Sequence, residues 1–293
     1  MAKQYSPVYS IQTLKDTVLS PKDFLADRFA HYLDEHRNLR FPHKHSFYQL
    51  VYFTSGSGSH AIDFTSFKLQ KGQVYFMNPG QVHTWDFQTQ PDGYIVNFSE
   101  AYIQALVANP RYLDQFSFFS GIADQQVINL PKDVWSQAEA LLQTIVQEGN
   151  SGNTLKDDYV RAALLQFFIV VNRCIDITDA TANQYNSVLL RNFQQLIELH
   201  YKHKRLTKEY AAMLYITPNH LNALCRDVTG SSAGELIRNR ILLEAKRLLV
   251  NAGITVSEIA SSLDFSDNSY FTKFFKKYEG VTPENFRKEI IKS

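Results

Sequence analysis

Residues 264–287 read DFSDNSYFTKFFKKYEGVTPENFR, and the C-terminal fold is decided there. Phe271, Phe274 and Phe275 recur at three and four, the period of one helix face. Gly280 stands where that helix must stop, and Thr282-Pro283 supplies the cap and first-turn proline of the next one. With the three phenylalanines turned inward, Asn268, Ser269, Thr272, Lys273 and Lys276 point outward. The pattern also occurs about 50 residues earlier. Tyr210, Ala211, Leu214 and Ile216 match Ile259, Ala260, Leu263 and Phe265. After one residue added in the second copy, Leu221, Leu224, Cys225, Arg226 and Gly230 match Phe271, Phe274, Phe275, Lys276 and Gly280.

Apolar positions spaced this way around a short break describe two helices meeting at a tight turn. The ends are marked by Thr217-Pro218, by the capping pairs Thr255/Glu258 and Ser232/Glu235, and by Gly230 and Gly280. A long helix, ELIRNRILLEAKRLLVNAG, joins the copies and runs to Gly253. A helix-turn-helix rests its second helix in the DNA major groove. Here the outward sets are Asn219, Asn222, Ala223 and Arg226 in the first copy and Asn268, Ser269, Thr272, Lys273 and Lys276 in the second. Asn can pair bidentately with adenine and Lys can reach guanine acceptors. Charge points the same way: residues 187–293 hold 16 Lys and Arg against 11 Asp and Glu, net +5, whereas residues 1–186 hold 14 against 18, net −4. Periodicity and charge alone leave open an amphipathic helical hairpin with an ordinary polar face.

Residues 206–290 resemble the AraC family of bacterial transcription activators across the whole double helix-turn-helix. The family pattern GF-S-D-x-S-Y-F-x-R-x-F-K-K-x-x-G-x-T-P-x-x-[YF]-R is met by Phe265 to Asp267, Ser269 to Phe271, Lys273, Phe275 to Lys277, Gly280, Thr282, Pro283, Phe286 and Arg287. Arg240, Ala245, Lys246, Leu248 and Leu249 fit its R-x-x-x-x-A-x-x-L-L positions in the joining helix. The chain departs at Asp264, where the family has glycine, and at Ala223 and Cys225, where it usually has Arg and Phe. Asp tolerates a left-handed backbone better than most residues, so the turn is expected to form. The resemblance implies an operator in double-stranded DNA, a small-molecule effector, a homodimer and contact with RNA polymerase. Asn219, Asn222, Asn268, Ser269, Thr272 and Lys273 are the expected base readers, and Arg226, Lys276, Lys277 and Arg287 the expected phosphate contacts.

Residues 41–100 read as short strands rich in Tyr, Phe, Val and Ile, punctuated by Gly and Pro, as in a small barrel or sandwich. His43-Lys44-His45, Gln49 and Gly56, then Gly72, Pro79, Gly80 and His83, look like the two short motifs of the cupin barrel. With period two, His43, His45 and Gln49 fall on one strand face. Catalytic cupins normally have Glu where Gln49 stands, and a neutral amide is a poorer ligand for a divalent ion. His43, His45, Gln49, His83 and Trp85 are therefore expected to line an effector pocket, with neither metal nor cofactor. Amphipathic helices are expected at 134–147 and 155–175. The run Phe167 to Val171 is apolar all round, and either self-association through this helix or its burial deep within one chain would cover the excess.

The expected architecture is a two-domain β + α chain. A cupin-like β-barrel with two following helices occupies 1–177, a linker 178–187, and an all-α double helix-turn-helix domain 188–293. A length of 293 residues suits two units. Cys174 and Cys225, far apart, read as reduced core filler. Neither a secretory leader nor a membrane span is expected, and the expected compartment is the cytoplasm. The competing function is a metal-dependent cupin enzyme carrying a helical appendage.

Overall fold

A computed structural model describes residues 8–10, 23–36, 43–107, 109, 111–176, 184–251 and 253–292. The chain divides into two compact units, with the boundary between residues 180 and 181. Residues 178–183 of the expected linker lie outside the described residues, and its remainder, from Gln184, is the first turn of a helix.

In the N-terminal unit one antiparallel sheet runs β10-β7-β4-β9-β2, from Val127–Asn129, Gln73–Met77, Tyr48–Ser55, Asp92–Phe98 and Phe24–Arg28. A second runs β6-β5-β8, from Thr65–Lys68, Gly58–Ile62 and His83–Phe87. A short parallel pair joins β1, Val8–Tyr9, to β3, Lys44–His45. Among the described residues the sheets are not joined into one continuous ladder, an open arrangement compatible with the expected cupin-like barrel. An isolated antiparallel bridge pairs His43, just before β3, with His83 of β8.

Period two along β4 explains the two cores of this unit. Val51 and Phe53 face the sandwich interior with Tyr75, Ile95, Ile62 and Trp85, closed by Phe29, Tyr32 and Leu33 of α1 (Phe29–Glu35). Leu50 and Tyr52 face the other way with α2 (Glu100–Gln104), α3 (Trp135–Gly149) and α4 (Lys156–Asp176). Burial on both faces is why β4 is apolar throughout its middle. At Gly72, φ is +82° and a Cβ would stand 2.2 Å from the Trp135 indole, so only glycine lets α3 seat there.

The apolar run of α4 is accounted for within the unit, the second of the two readings open to it. Phe167, Phe168, Val170 and Val171 are buried within the unit, and Ile169 alone of the five is exposed. Phe168 packs among Phe76, Phe98, Phe116, Phe118 and Phe119, the last three from the irregular segment after α2.

The C-terminal unit is helical: α5 (Gln184–His200), α6 (Thr207–Met213), α7 (Pro218–Thr229), α8 (Ala233–Leu249), α9 (Val256–Ser262), α10 (Asn268–Glu279) and α11 (Pro283–Lys292). Its core joins Phe193, Tyr210, Leu221, Ile237, Ile241, Ala245, Ile259, Phe271 and Phe275. No described helix is long and apolar enough to cross a membrane.

Candidate functional sites

The duplicated sequence pattern is a duplicated structure. Both α7 and α10 begin on a side-chain cap, with Thr217 accepting from His220 N and Asp267 from Tyr270 N. Both end on a left-handed glycine, Gly230 at φ +74° and Gly280 at φ +85°. The turns preceding them place Tyr215 and Asp264, which match in the repeat, at φ +56° and +57°. Asp264 thus adopts the conformation expected of it. Arg205 braces that turn, donating from Nη2 to the carbonyls of Leu263 and Asp264 with its guanidinium 3.9 Å from the Phe265 ring centroid. Sequence reading singled out no role for Arg205.

Asn219, His220, Ala223 and Arg226 are exposed on α7, and Asn268, Ser269, Lys273, Lys276 and Lys277 on α10. Two expected contacts are directed inward instead. Asn222 is half-buried and its Oδ1 accepts from Ala233 N at 3.1 Å, capping the start of α8. Arg287, also half-buried, donates from Nε to Leu249 O at 3.2 Å and from Nη2 to Ile254 O at 2.6 Å, tying down the end of α8 and the loop after it. Thr272, the repeat counterpart of Asn222, is half-buried as well.

In the N-terminal unit the expected pocket residues come together at one end of the sandwich. His43, His45, Gln49, His83 and Trp85 are all buried, and so is His60 of β5, which sequence reading missed. The His83 ring centroid lies 4.1 Å from His43, 4.8 Å from His45, 5.4 Å from His60 and 5.0 Å from Trp85. His60 Nε2 and His83 Nδ1 share a hydrogen bond of 3.2 Å. Burial first, then the neighbouring imidazoles, hold His60 and His83 well below the usual histidine range and push His45 down to about 3. These three imidazoles are neutral at pH 7. Beside them, a groove of about 560 Å³ runs between α1 and the turn after β8, lined by Leu33, Asp34, Trp85, Phe87, Gln88 and Gln90 among others.

Residues 25–166 match the AraC-like ligand binding domain, and residues 210–289 match the helix-turn-helix domain. The chain belongs to the AraC family of transcription regulators. This AraC-family regulator is 32% identical to the transcriptional regulatory protein YesN of Bacillus subtilis (strain 168) over 119 residues, 39% of this chain and 32% of that protein. It therefore spans about a third of YesN. It is 22% identical to the HTH-type transcriptional activator RhaR of Yersinia pestis bv. Antiqua (strain Angola) over 255 residues, 86% of each chain. Among solved structures, ToxT from Vibrio cholerae O395 is 14% identical, with a TM-score of 0.45 over 91% of this chain and 98% of that one.

The ion that the cupin motifs bring to mind does not fit the regulator's histidines. Gln49 supplies no charge, and its Nε2 donates to Asn97 Oδ1 at 3.0 Å. Among the described residues, the one set of three His, Cys, Asp or Glu donors within 4.8 Å of one another is Asp27, His31 and Glu35, none of them buried.

Proposed function

We propose that this regulator is an effector-responsive activator in the cytoplasm, which reads an operator with α7 and α10 and meets RNA polymerase there. The observation that carries the reading is the pair of register-equivalent helices, each presenting polar residues in its first turns, where recognition helices touch base edges. Asn219 on α7 and Asn268, Ser269 and Lys273 on α10 take the base edges, while Arg226, Lys276 and Lys277 take phosphates. Thr272 lies between them, its half-buried side chain at the rim of the surface. The 17 residues of α8 span about 25 Å, which with the widths of the two units suits adjacent major grooves about 34 Å apart.

The N-terminal unit acts as a sensor rather than a catalyst, because its central polar cluster offers imidazoles, three of them neutral, and an amide without a carboxylate. Homodimerisation is assigned to the exposed face of α4, where Tyr159, Ala162, Gln166 and Ile169 recur at three and four and would pack against the same stripe of a second copy. Selection of bound duplexes by the full chain, followed by footprinting, tests the DNA reading. Two protected segments one helical turn apart on one face support it, and a single protected segment refutes tandem reading.

A further inference from the structure

The two helix-turn-helix units share α8, and they are also joined away from it. Asn222 caps the start of α8, while Arg287 and the Lys246–Glu279 ion pair, 2.9 Å from Nζ to Oε1, hold its far part to α11 and α10. Fastening at the two ends of one helix sets the separation of the units along its axis. Rotation of one unit about that axis is left to whatever else connects them.

The second connection starts in the segment between α5 and α6. Glu209 of α6 accepts with Oε2 from the backbone N–H of Arg205 at 3.0 Å and of Leu206 at 2.9 Å. The buried Tyr210, also of α6, donates its hydroxyl to Lys204 O at 2.9 Å. Residues 204–206 are thereby fixed to the first unit. The Arg205 side chain then crosses to the second, where Nη2 donates to Leu263 O at 2.6 Å and to Asp264 O at 2.8 Å. Its guanidinium lies on the Phe265 ring, and Phe265 packs against Phe271 and Phe274 of α10 at ring-centroid distances of 5.1 and 5.2 Å. A cation suits this place, because carbonyls at a helix end lack intrahelical partners and carry the negative pole of the helix dipole. The planar guanidinium can meet carbonyls and an aromatic face together, for which a lysine ammonium is a poor substitute. His203 Nδ1 and Asp264 Oδ2, 3.1 Å apart, span the same gap, but both side chains are more than half exposed and such a pair adds little.

We propose that Arg205 is a positioning residue that locks the rotation of α10 relative to α7 and so sets the half-site spacing that the regulator accepts. The proposal rests on tandem reading by the two helices. In that reading α8 bridges adjacent grooves, so its axis follows the duplex. Each base pair advances about 3.4 Å and turns about 35°, so one added base pair carries the second half-site round the duplex as well as along it. Rotation about α8 is the freedom that would let α10 follow, and the Arg205 contact removes it.

The test uses the full chain and an operator recovered by duplex selection, with one base pair added or removed between its two protected segments. With the wild type, either change should weaken binding by about tenfold or more. Arg205→Ala should shrink that penalty by about threefold or more and leave the slope of log affinity against log salt unchanged. His203→Ala should leave the penalty as it is. Where the alanine variant folds poorly, Arg205→Lys serves, since it keeps the charge but loses the planar fork, and it should shrink the penalty in the same direction. The proposal is overturned if the wild type tolerates either altered spacing, or if folded Arg205 variants keep the full penalty. It is equally overturned if His203→Ala relaxes spacing as much, or if Arg205→Ala flattens the salt slope by about 0.9, the mark of a phosphate contact. Two protected segments with loose wild-type spacing remove the Arg205 assignment and retain tandem reading. A single protected segment removes tandem reading, and the assignment with it.

Discussion

Lowering the pH from 7.5 to 5.5 should remove about 4 kcal/mol from the stability of the N-terminal unit, through His45, His60 and His83. All three are buried to within 1% of full coverage, and burial holds their folded-state pKa values below the usual range. The unfolded chain titrates each near 6.5. Between the folded value and 6.5 the unfolded state binds more protons, so stability falls as pH falls through that window and is full above it. At pH 5.5 an unfolded imidazole gains about 1.4 kcal/mol from protonation that its folded counterpart forgoes; at pH 7.5 the gain is below ~0.1 kcal/mol. Three such groups give about 4 kcal/mol. His31, exposed beside Asp27 and Glu35, is pushed upward and opposes this weakly.

Both tryptophans, Trp85 and Trp135, lie in this unit, so their fluorescence during guanidinium unfolding of the full chain reports on it alone. His60→Gln, which cannot titrate, should reduce the loss by about a third, or ~1.4 kcal/mol. A loss between pH 7.5 and 5.5 smaller than the ~1.4 kcal/mol of one histidine would refute the neutral, buried state of the cluster.

On a non-specific duplex, Lys276→Ala and Lys277→Ala should each flatten the plot of log affinity against log salt by about 0.9. Arg287→Ala should leave that slope alone and lower stability by about 2 to 3 kcal/mol, since it removes two charged hydrogen bonds to carbonyls; a changed slope would return Arg287 to the phosphates. Asn222→Ala should cost about 1 kcal/mol of stability, as the loss of a helix cap does, and leave base preference in duplex selection unchanged; altered preference would show that Asn222 leaves Ala233 to read DNA. Ile169→Asp should raise the dimer dissociation constant by at least tenfold in sedimentation, and an unaffected dimer would move the interface away from α4.

The departures from sequence expectation share a physical cause. The helix-turn-helix unit was readable because its determinants are local: caps three residues apart, a period of three and four, and glycines at the helix ends, all meeting in the pairing of Tyr215 with Asp264 and of Gly230 with Gly280. The inward turn of Arg287 was not legible because its acceptors lie 38 and 33 residues back in the chain, beyond any periodicity. Asn222 differs from Asn219 in the same way, through a backbone amide 11 residues further on. The surplus expected of Phe167 to Val171 vanished because Phe116, Phe118 and Phe119, in a segment without period, fold over Phe168.

His60 is the informative omission. It sits in GSHAI, which carries no motif, and becomes central only because β5 pairs His60 with Trp85 and Ile62 with His83. Strand order supplies what spacing could not. The cupin motif names His43, His45 and His83, and the register of one neighbouring strand adds a fourth imidazole while Asn97 engages Gln49. A motif defined for three ligands and a carboxylate has thereby become a hydrogen-bonding surface without a carboxylate, and its chemistry follows from those two added neighbours rather than from the motif itself.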